Sequence, residues 1–428
     1  MKIFRFFSIL FLLSSTLLSA CAAETPTQLS PAMGSILSQD IENAFQWLQA
    51  NALMAKNVDW TALRAEAAAL KPDLNTSADT YPILCKALRE LRDANAWLYV
   101  PSLETPGFGF DYLTLYPDYK IVTWVQPNSP AEKAGLQVGD VIQKKNGEPP
   151  QPYDPDNLWA PCNTRPLDLS PQEELVVLRD GQELTITIER KTLGYGEYDP
   201  FLLPTGRKVG VNSGSVGYLE LPSEYGSHTA YPGEVQKLMK ELDSTAVCGW
   251  IIDLRRTYAG DIWSYIAAVG PILGEDNLGG FVYLDGERES WAYRKGDVFW
   301  SGSRRPESEL GGEAYTPKQV TPVALLIGPG TQAASELLVV AFGGRADVRT
   351  FGEPTFGLPT LVTQNALRDG SSLVVSGAFS YDRNKTNYDG PITPDVSAST
   401  DWLHFGSAQD PAVQTAADWL STQNACQP

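Results

Sequence analysis

The chain is 428 residues long, 43% hydrophobic, and carries 51 acidic against 33 basic residues for a net charge of −18. That length allows two or three domains, and 11 Trp, 18 Tyr and 15 Phe give their cores bulk. No basic cluster occurs anywhere, which excludes nucleic acid as a main partner, because phosphate binding needs a concentrated positive surface.

At the start, Lys2 and Arg5 precede an apolar run from Phe6 to Leu18, which ends in Leu18-Ser-Ala-Cys21. A charged segment, an apolar segment and a small-residue cleavage site form an export signal. The run is too short to span a membrane. Its ending resembles the bacterial lipobox, which implies a signal peptide over 1–20, a lipid on Cys21 and a tether over 21–37. An ordinary signal peptide with an incidental cysteine is the alternative. The lipobox resemblance implies a protein of the bacterial cell envelope, on the periplasmic side or the cell surface, bound to the membrane through its lipid.

Four further cysteines remain, Cys85, Cys162, Cys248 and Cys426, none at metal-ligand spacing, so neither metal nor cofactor is expected. Cys248 lies in a strand pattern and reads as a core residue. A disulfide among the others is permitted outside the cytoplasm, although spacing does not assign it.

Residues 38–103 read as a helical region. Ile41, Phe45 and Leu48 recur at helical steps, Trp60 to Leu70 is alanine-rich, and Tyr81 to Leu91 follows a capping region at Ser77 or Asp79. The region closes with Leu91-Arg-Asp93-Ala-Asn95-Ala96-Trp97.

Residues 104–192 carry Pro106-Gly-Phe-Gly-Phe110, the strand Ile121 to Val125, and Asn128-Ser-Pro-Ala-Glu-Lys-Ala-Gly-Leu-Gln-Val-Gly-Asp-Val-Ile142. Leu175 to Leu178 and Leu184 to Ile188, joined by Arg179-Asp-Gly-Gln182, predict a hairpin. Together these resemble a PDZ domain. The resemblance makes Gly107, Phe108, Gly109 and Phe110 a loop whose amides receive a peptide carboxylate. Six prolines between about 140 and 170 read as a rigid surface insertion with no function assigned.

From 193 to 428 strands and helices alternate. Gly249 to Leu254 is a buried strand that enters Arg255-Arg-Thr-Tyr-Ala-Gly260, and a helix is predicted from Ile262 to Leu273. The strand Val323 to Ile327 feeds Gly328-Pro-Gly-Thr331 and a buried helix from Ser335 to Phe342. A turn at a helix N-terminus is where backbone N–H groups and a nucleophile can be placed together. A strand from Val348 leads into Phe351-Gly-Glu-Pro-Thr-Phe-Gly357, and Tyr388 to Val396 closes the pattern.

These segments resemble the C-terminal processing, or tail-specific, serine peptidases, related to the tricorn core. The family's catalytic form is G-x-x-T-x-S-x-x-E. Thr331 and Glu336 hold the Thr and Glu places, and Ala333 stands where the family keeps its serine. Asn95 and Ala96 stand where one branch has a His-Ser pair, and Leu358 where another has its lysine base. In the oxyanion turn the first glycine is Ala259 and the second survives as Gly260. A Cβ in a left-handed backbone costs about 1 kcal/mol, so a distorted turn is expected.

The resemblance implies a multidomain α+β protein: a helical region, a PDZ domain and an α/β, crotonase-like ββα peptidase core. It also implies peptides or protein C-terminal tails as partners. With alanine as nucleophile and asparagine as base, the chain reads as a non-cleaving binder. One alternative is an active serine endopeptidase with a relocated site, for which Ser335 is the fallback nucleophile and His228 or His404 a recruited base. Ser335 is two residues on, about 200° around a helix, which points it away from the cleft. His404, beside Trp402 and Phe405, reads as packed, and His228 as a loop residue. A further alternative is a scaffold for an active paralogue.

Overall fold

The computed structural model describes residues 31–100, 106–115, 119–150, 171–192, 203–212, 214–223, 230–245, 247–258, 260–305, 310 and 313–427. Cys21, Cys162, Ala259 and His228, together with the 151–170 part of the proline-rich stretch, lie outside them.

Three helices open the described chain: α1 (Pro31–Asn51), α2 (Trp60–Leu70) and α3 (Tyr81–Leu91). Asp59 caps α2 by accepting from the amides of Thr61 and Ala62. Arg92 ends α3 in a left-handed conformation (φ 55°) and turns the chain toward Asn95. The helices bury Ile41, Phe45, Leu63, Leu84 and Leu88 together with Leu373 and Val375. They therefore sit on a sheet whose long strand Ser372–Asp382 comes from the far end of the sequence.

That sheet runs in the order 97–99, 372–382, 276–282, 288–294, 297–300, 303–304. Strand Thr360–Ala366 also pairs with Ser372–Asp382, and Trp97 lies opposite Val374.

The PDZ unit is a five-stranded antiparallel sheet in the order 110–115, 119–125, 141–145, 172–179, 182–189. Asp180 and Gly181, at φ 50° and 76°, form the tight turn expected between its last two strands. Helix α4 (Pro130–Lys133) starts on Ser129, whose hydroxyl accepts from the Glu132 amide. The proline-rich insertion cannot begin near 140 as the sequence suggested. Val141–Lys145 is an internal strand of this sheet, since Ile142 pairs with both Lys120 and Val177.

The core is a six-stranded sheet ordered 396–397, 348–352, 323–327, 250–253, 214–220, 205–211. Its inner strands, Val323–Ile327 and Trp250–Asp253, are wholly buried and parallel, and they read as continuous apolar runs. Helices α5 (Ala230–Leu242), α6 (Ile262–Leu273) and α7 (Ala334–Phe342) share one apolar cluster with it. Helix α8 (Pro411–Ser421) packs on Ile251, Ala324 and Leu326 from the other side. Such a sheet, covered on both faces, delivers its loops to the carboxyl ends of the strands. Arg383 closes the far end of α7, donating to the carbonyls of Gly343 (3.0 Å) and Ala341 (2.8 Å).

Cys248 does not simply pack. It forms a disulfide with Cys426, beyond α8, and so ties the turn there to the residues just before the core strand. Cys85 is disulfide-bonded as well.

Candidate active site

Strands ending at Asp253 and Ile327 are neighbours, and one side chain joins the turns that follow them. The Thr331 hydroxyl accepts from the Gly328 amide at 3.0 Å and donates to the Leu254 carbonyl at 2.9 Å. Gly330 must be glycine here, because a Cβ would lie 2.2 Å from the Arg255 carbonyl oxygen. The second turn is pressed against the first, and α7 starts from that contact.

Ala333 is the residue before α7. Its backbone adopts φ 51° and ψ −110°, a conformation that strains any residue with a Cβ. From Thr331 to Phe342 it is also the one residue that is not buried. A sharp turn thus presents the Ala333 Cβ outward from the helix N-terminus, where a nucleophilic side chain belongs. The side chain is a methyl group.

Glu336 holds that turn in place. Its Oε2 accepts from the amides of Ala333 (3.0 Å) and Leu358 (2.7 Å), and its Oε1 from the Gly357 amide (2.8 Å) and the Thr355 hydroxyl (2.5 Å). Burial pushes the carboxyl up to about 7, against these four hydrogen bonds. Glu336 therefore serves the frame rather than proton transfer, since both of its oxygens are occupied.

Ser335 faces the other way. It is fully buried, and its hydroxyl accepts from the Gln332 amide at 2.9 Å and donates to the Thr257 carbonyl. The Gln332 amide also reaches Thr257, at 3.1 Å. Ser335 stitches α7 to the turn after Leu254.

In that turn Gly260 has φ 125°, and a Cβ there would meet the Tyr265 hydroxyl at 2.3 Å. Arg255 points inward, between Asp253 (2.6 Å) and Asp410 (2.7 Å), with its guanidinium 4.5 Å from the Phe405 ring. Burial opposes its charge, but the two carboxylates outweigh burial and raise its pKa above the ordinary arginine range. Arg256 stacks 4.4 Å from the same ring. It also donates to Glu220 at 2.9 Å and to the Thr123 carbonyl of the PDZ sheet at 2.9 Å. Tyr258 donates to Asp111 on the first PDZ strand. Trp402 stacks on Phe405 and packs with Ile121 and Val141. The PDZ sheet is thereby clamped beside the turn that carries Gly260.

Asn95 reaches this region from the helical domain. Its side-chain amide donates to the Thr360 hydroxyl at 2.9 Å, two residues beyond Leu358. Leu358 itself is half-buried and offers only its backbone amide to the site. His404 is not packed as its neighbours suggested. Trp402 turns inward, while His404 is exposed and bonds Asp401 through Nδ1 at 2.7 Å, holding that carboxyl below the usual range.

In the PDZ loop, Gly109 takes φ 78°, and a Cβ there would overlap the Ser129 side chain at 2.2 Å. The carbonyls of Phe108 and Gly109 accept from Ala131 and Gln126. Among the described residues their amides donate to nothing, which leaves two donors at the end of the edge strand Phe110–Leu115. Sequence reasoning missed Thr360 and Ser376 and gave no role to Asp93, Thr355 or Tyr258. These last three lie inside segments the sequence analysis singled out, whereas Thr360 and Ser376 carried no local signal.

A strained residue at the N-terminus of a buried helix, next to a glycine turn from the neighbouring parallel strand, defines the frame of a serine-type hydrolase. Residues 215–398 match the model of peptidase family S41, and residues 121–158 that of a PDZ domain. The chain thus carries an S41-peptidase-like region preceded by a PDZ-like one. The carboxyl-terminal-processing protease of Synechocystis sp. is 27% identical over 387 residues, 85% of this chain and 81% of that one. The nisin-resistance protein of Lactococcus lactis subsp. lactis is 26% identical over 215 residues, 49% of this chain and 61% of its own length. CtpB of Bacillus subtilis is 28% identical over 247 residues, and this chain spans 45% of it. Among solved structures, a photosystem II D1 C-terminal processing protease superposes with a TM-score of 0.56 at 19% identity, covering 91% of this chain and 98% of that one. Among the described residues no helix is long and apolar enough to cross a membrane.

Proposed function

We propose that this protein is an exported, lipid-anchored envelope protein that keeps the peptidase frame and PDZ unit but holds peptides without cutting them. The observation that carries the reading is Ala333. Its turn retains the outward presentation and the Glu336 bonding of a nucleophile's position, and it ends in a methyl group. Covalent catalysis needs a nucleophile and a base within hydrogen-bond reach. Ser335 is locked onto Thr257 and Gln332, and Asn95 takes up no proton near neutral pH. The open amides of Phe108 and Gly109, beside the edge strand Phe110–Leu115, fit an extended peptide ending in a carboxylate. Lys2, Arg5 and the run ending in Cys21 support export and lipidation.

The test is labelling of the soluble chain from Ala22 onward with a fluorophosphonate probe, beside a variant carrying Ala333→Ser, Asn95→His and Ala96→Ser. We expect no labelling of the natural chain and labelling of the restored one. Stoichiometric labelling of the natural chain, lost on Ser335→Ala, would overturn the reading in favour of a relocated nucleophile.

A further inference from the structure

Asn95 ends a chain of hydrogen bonds whose direction is fixed. Asp93 accepts from the Ser376 amide at 2.7 Å, the Ser376 hydroxyl at 2.9 Å and the Asn95 backbone amide at 2.9 Å. A carboxylate can only accept, so the Ser376 hydroxyl commits its single proton to Asp93. The Ser376 and Thr360 hydroxyls are 2.8 Å apart, and Ser376 must therefore accept from Thr360. Thr360 then has no proton left for Asn95 and accepts from its side-chain amide at 2.9 Å. Nδ2 also reaches the Ser376 hydroxyl, at 3.3 Å. The amide protons of Asn95 are drawn toward this buried network, and its Oδ1 is left as an oriented acceptor. Among the described residues no group donates to Oδ1, while Asn95 itself is half-buried. The network joins the nucleophile's turn: Thr360 donates its amide to the Leu358 carbonyl (2.7 Å), and Leu358 shares Glu336 Oε2 with Ala333.

We propose that Asn95 Oδ1 receives a backbone N–H of the extended peptide held in the cleft, with Asp93, Thr360 and Ser376 as its positioning residues. This rests on the peptide-holding reading above and adds a register to it. A peptide is accepted where the residue facing Asn95 has an N–H. It is disfavoured where that residue is proline or N-methylated, because a site built around an acceptor rejects a ligand that leaves it unpaired. The place that a base would use for proton transfer is used here for recognition.

The probe is a fluorescein-labelled, C-terminally amidated ten-residue peptide of alternating Ala and Val with a Lys at each end, the amide being there to silence the PDZ loop. Binding is read by polarisation with the soluble chain from Ala22, replacing one backbone amide at a time by an ester, which lacks the N–H. In the natural chain one position should lose about three- to tenfold in affinity. In Asn95→Leu that step should vanish, and in Thr360→Val, which keeps Asn95 but releases its amide, it should shrink. If the natural chain binds the probe and the same ester step survives in both variants, the proposal fails while the peptide-holding reading stands. If the natural chain binds neither this probe nor its free-carboxylate form, both fail together.

Discussion

The amide of Ala333 donates to Oε2 of Glu336 at 3.0 Å, across a backbone held at φ 51° and ψ −110°. The bond fixes a conformation that only glycine adopts without strain. Replacing Ala333 by glycine should therefore stabilise the protein, since relief of about 1–3 kcal/mol exceeds the roughly 0.5–1 kcal/mol that glycine adds in unfolded-chain entropy. A urea midpoint that rises in Ala333→Gly supports the strain; one that falls shows that the turn is relaxed.

Glu336 gives the fold a pH dependence of unusual sign. Its carboxyl is raised by burial from 4.5 to about 7, so the folded chain holds this proton more tightly than the unfolded one. Its contribution is fully present below about pH 4.5 and is lost as the pH rises through about 7. The change is on the order of 3 kcal/mol. Glu336→Gln should flatten that part of the stability profile and destabilise at pH 8, where an amide proton would oppose the donors around it. Urea melts of both proteins at pH 5 and pH 8 check the difference in slope.

Arg255, Asp253 and Asp410 form a fully buried charge cluster. Removing one partner leaves an uncompensated charge, so Arg255→Met should cost about 3–5 kcal/mol. Asp410→Asn should cost less, because asparagine still caps α8, where Asp410 accepts from the Ala412 amide at 3.0 Å. Equal losses in the two variants would show that the Arg255–Asp410 charge pair, not the cap, carries the energy.

Arg256 and Tyr258 are the polar clamps between the core turn and the PDZ sheet. Arg256→Ala together with Tyr258→Phe should leave the core's unfolding midpoint within about 1 kcal/mol, yet speed amide exchange across Phe110–Leu115 and Tyr119–Val125. Unchanged exchange there would assign the docking to Trp402 and Phe405 alone.

What the sequence disclosed was local. Helices Trp60–Leu70, Tyr81–Leu91 and Ile262–Leu273 and strands Val323–Ile327 and Val348–Gly352 were legible because caps and apolar blocks mark them within a few residues. The Thr331, Ala333 and Glu336 places were legible as one motif. The long strand Ser372–Asp382 and its partners were not, since their pairings join distant segments and their polar–apolar pattern is broken. Asp93 and Ser376 meet across 283 residues, and nothing near either announces the other. His404 was misread because two aromatic neighbours suggested a packed site. The chain turns there, so Trp402 goes inward while His404 is left to bond Asp401.

The Cys248–Cys426 bond has a mechanical consequence. It closes a covalent loop over a separation of 178 residues, which encloses strands Trp250–Asp253 and Val323–Ile327, helices α6 to α8 and the Ala333 turn. Tension entering upstream of Cys248 and leaving beyond Cys426 passes through the two sulfurs. The segment between them carries no load. A pull that peeled away the PDZ sheet would cross the core only through the two strands and the helix that precede Cys248, and reduction would place the Ala333 turn in the line of traction.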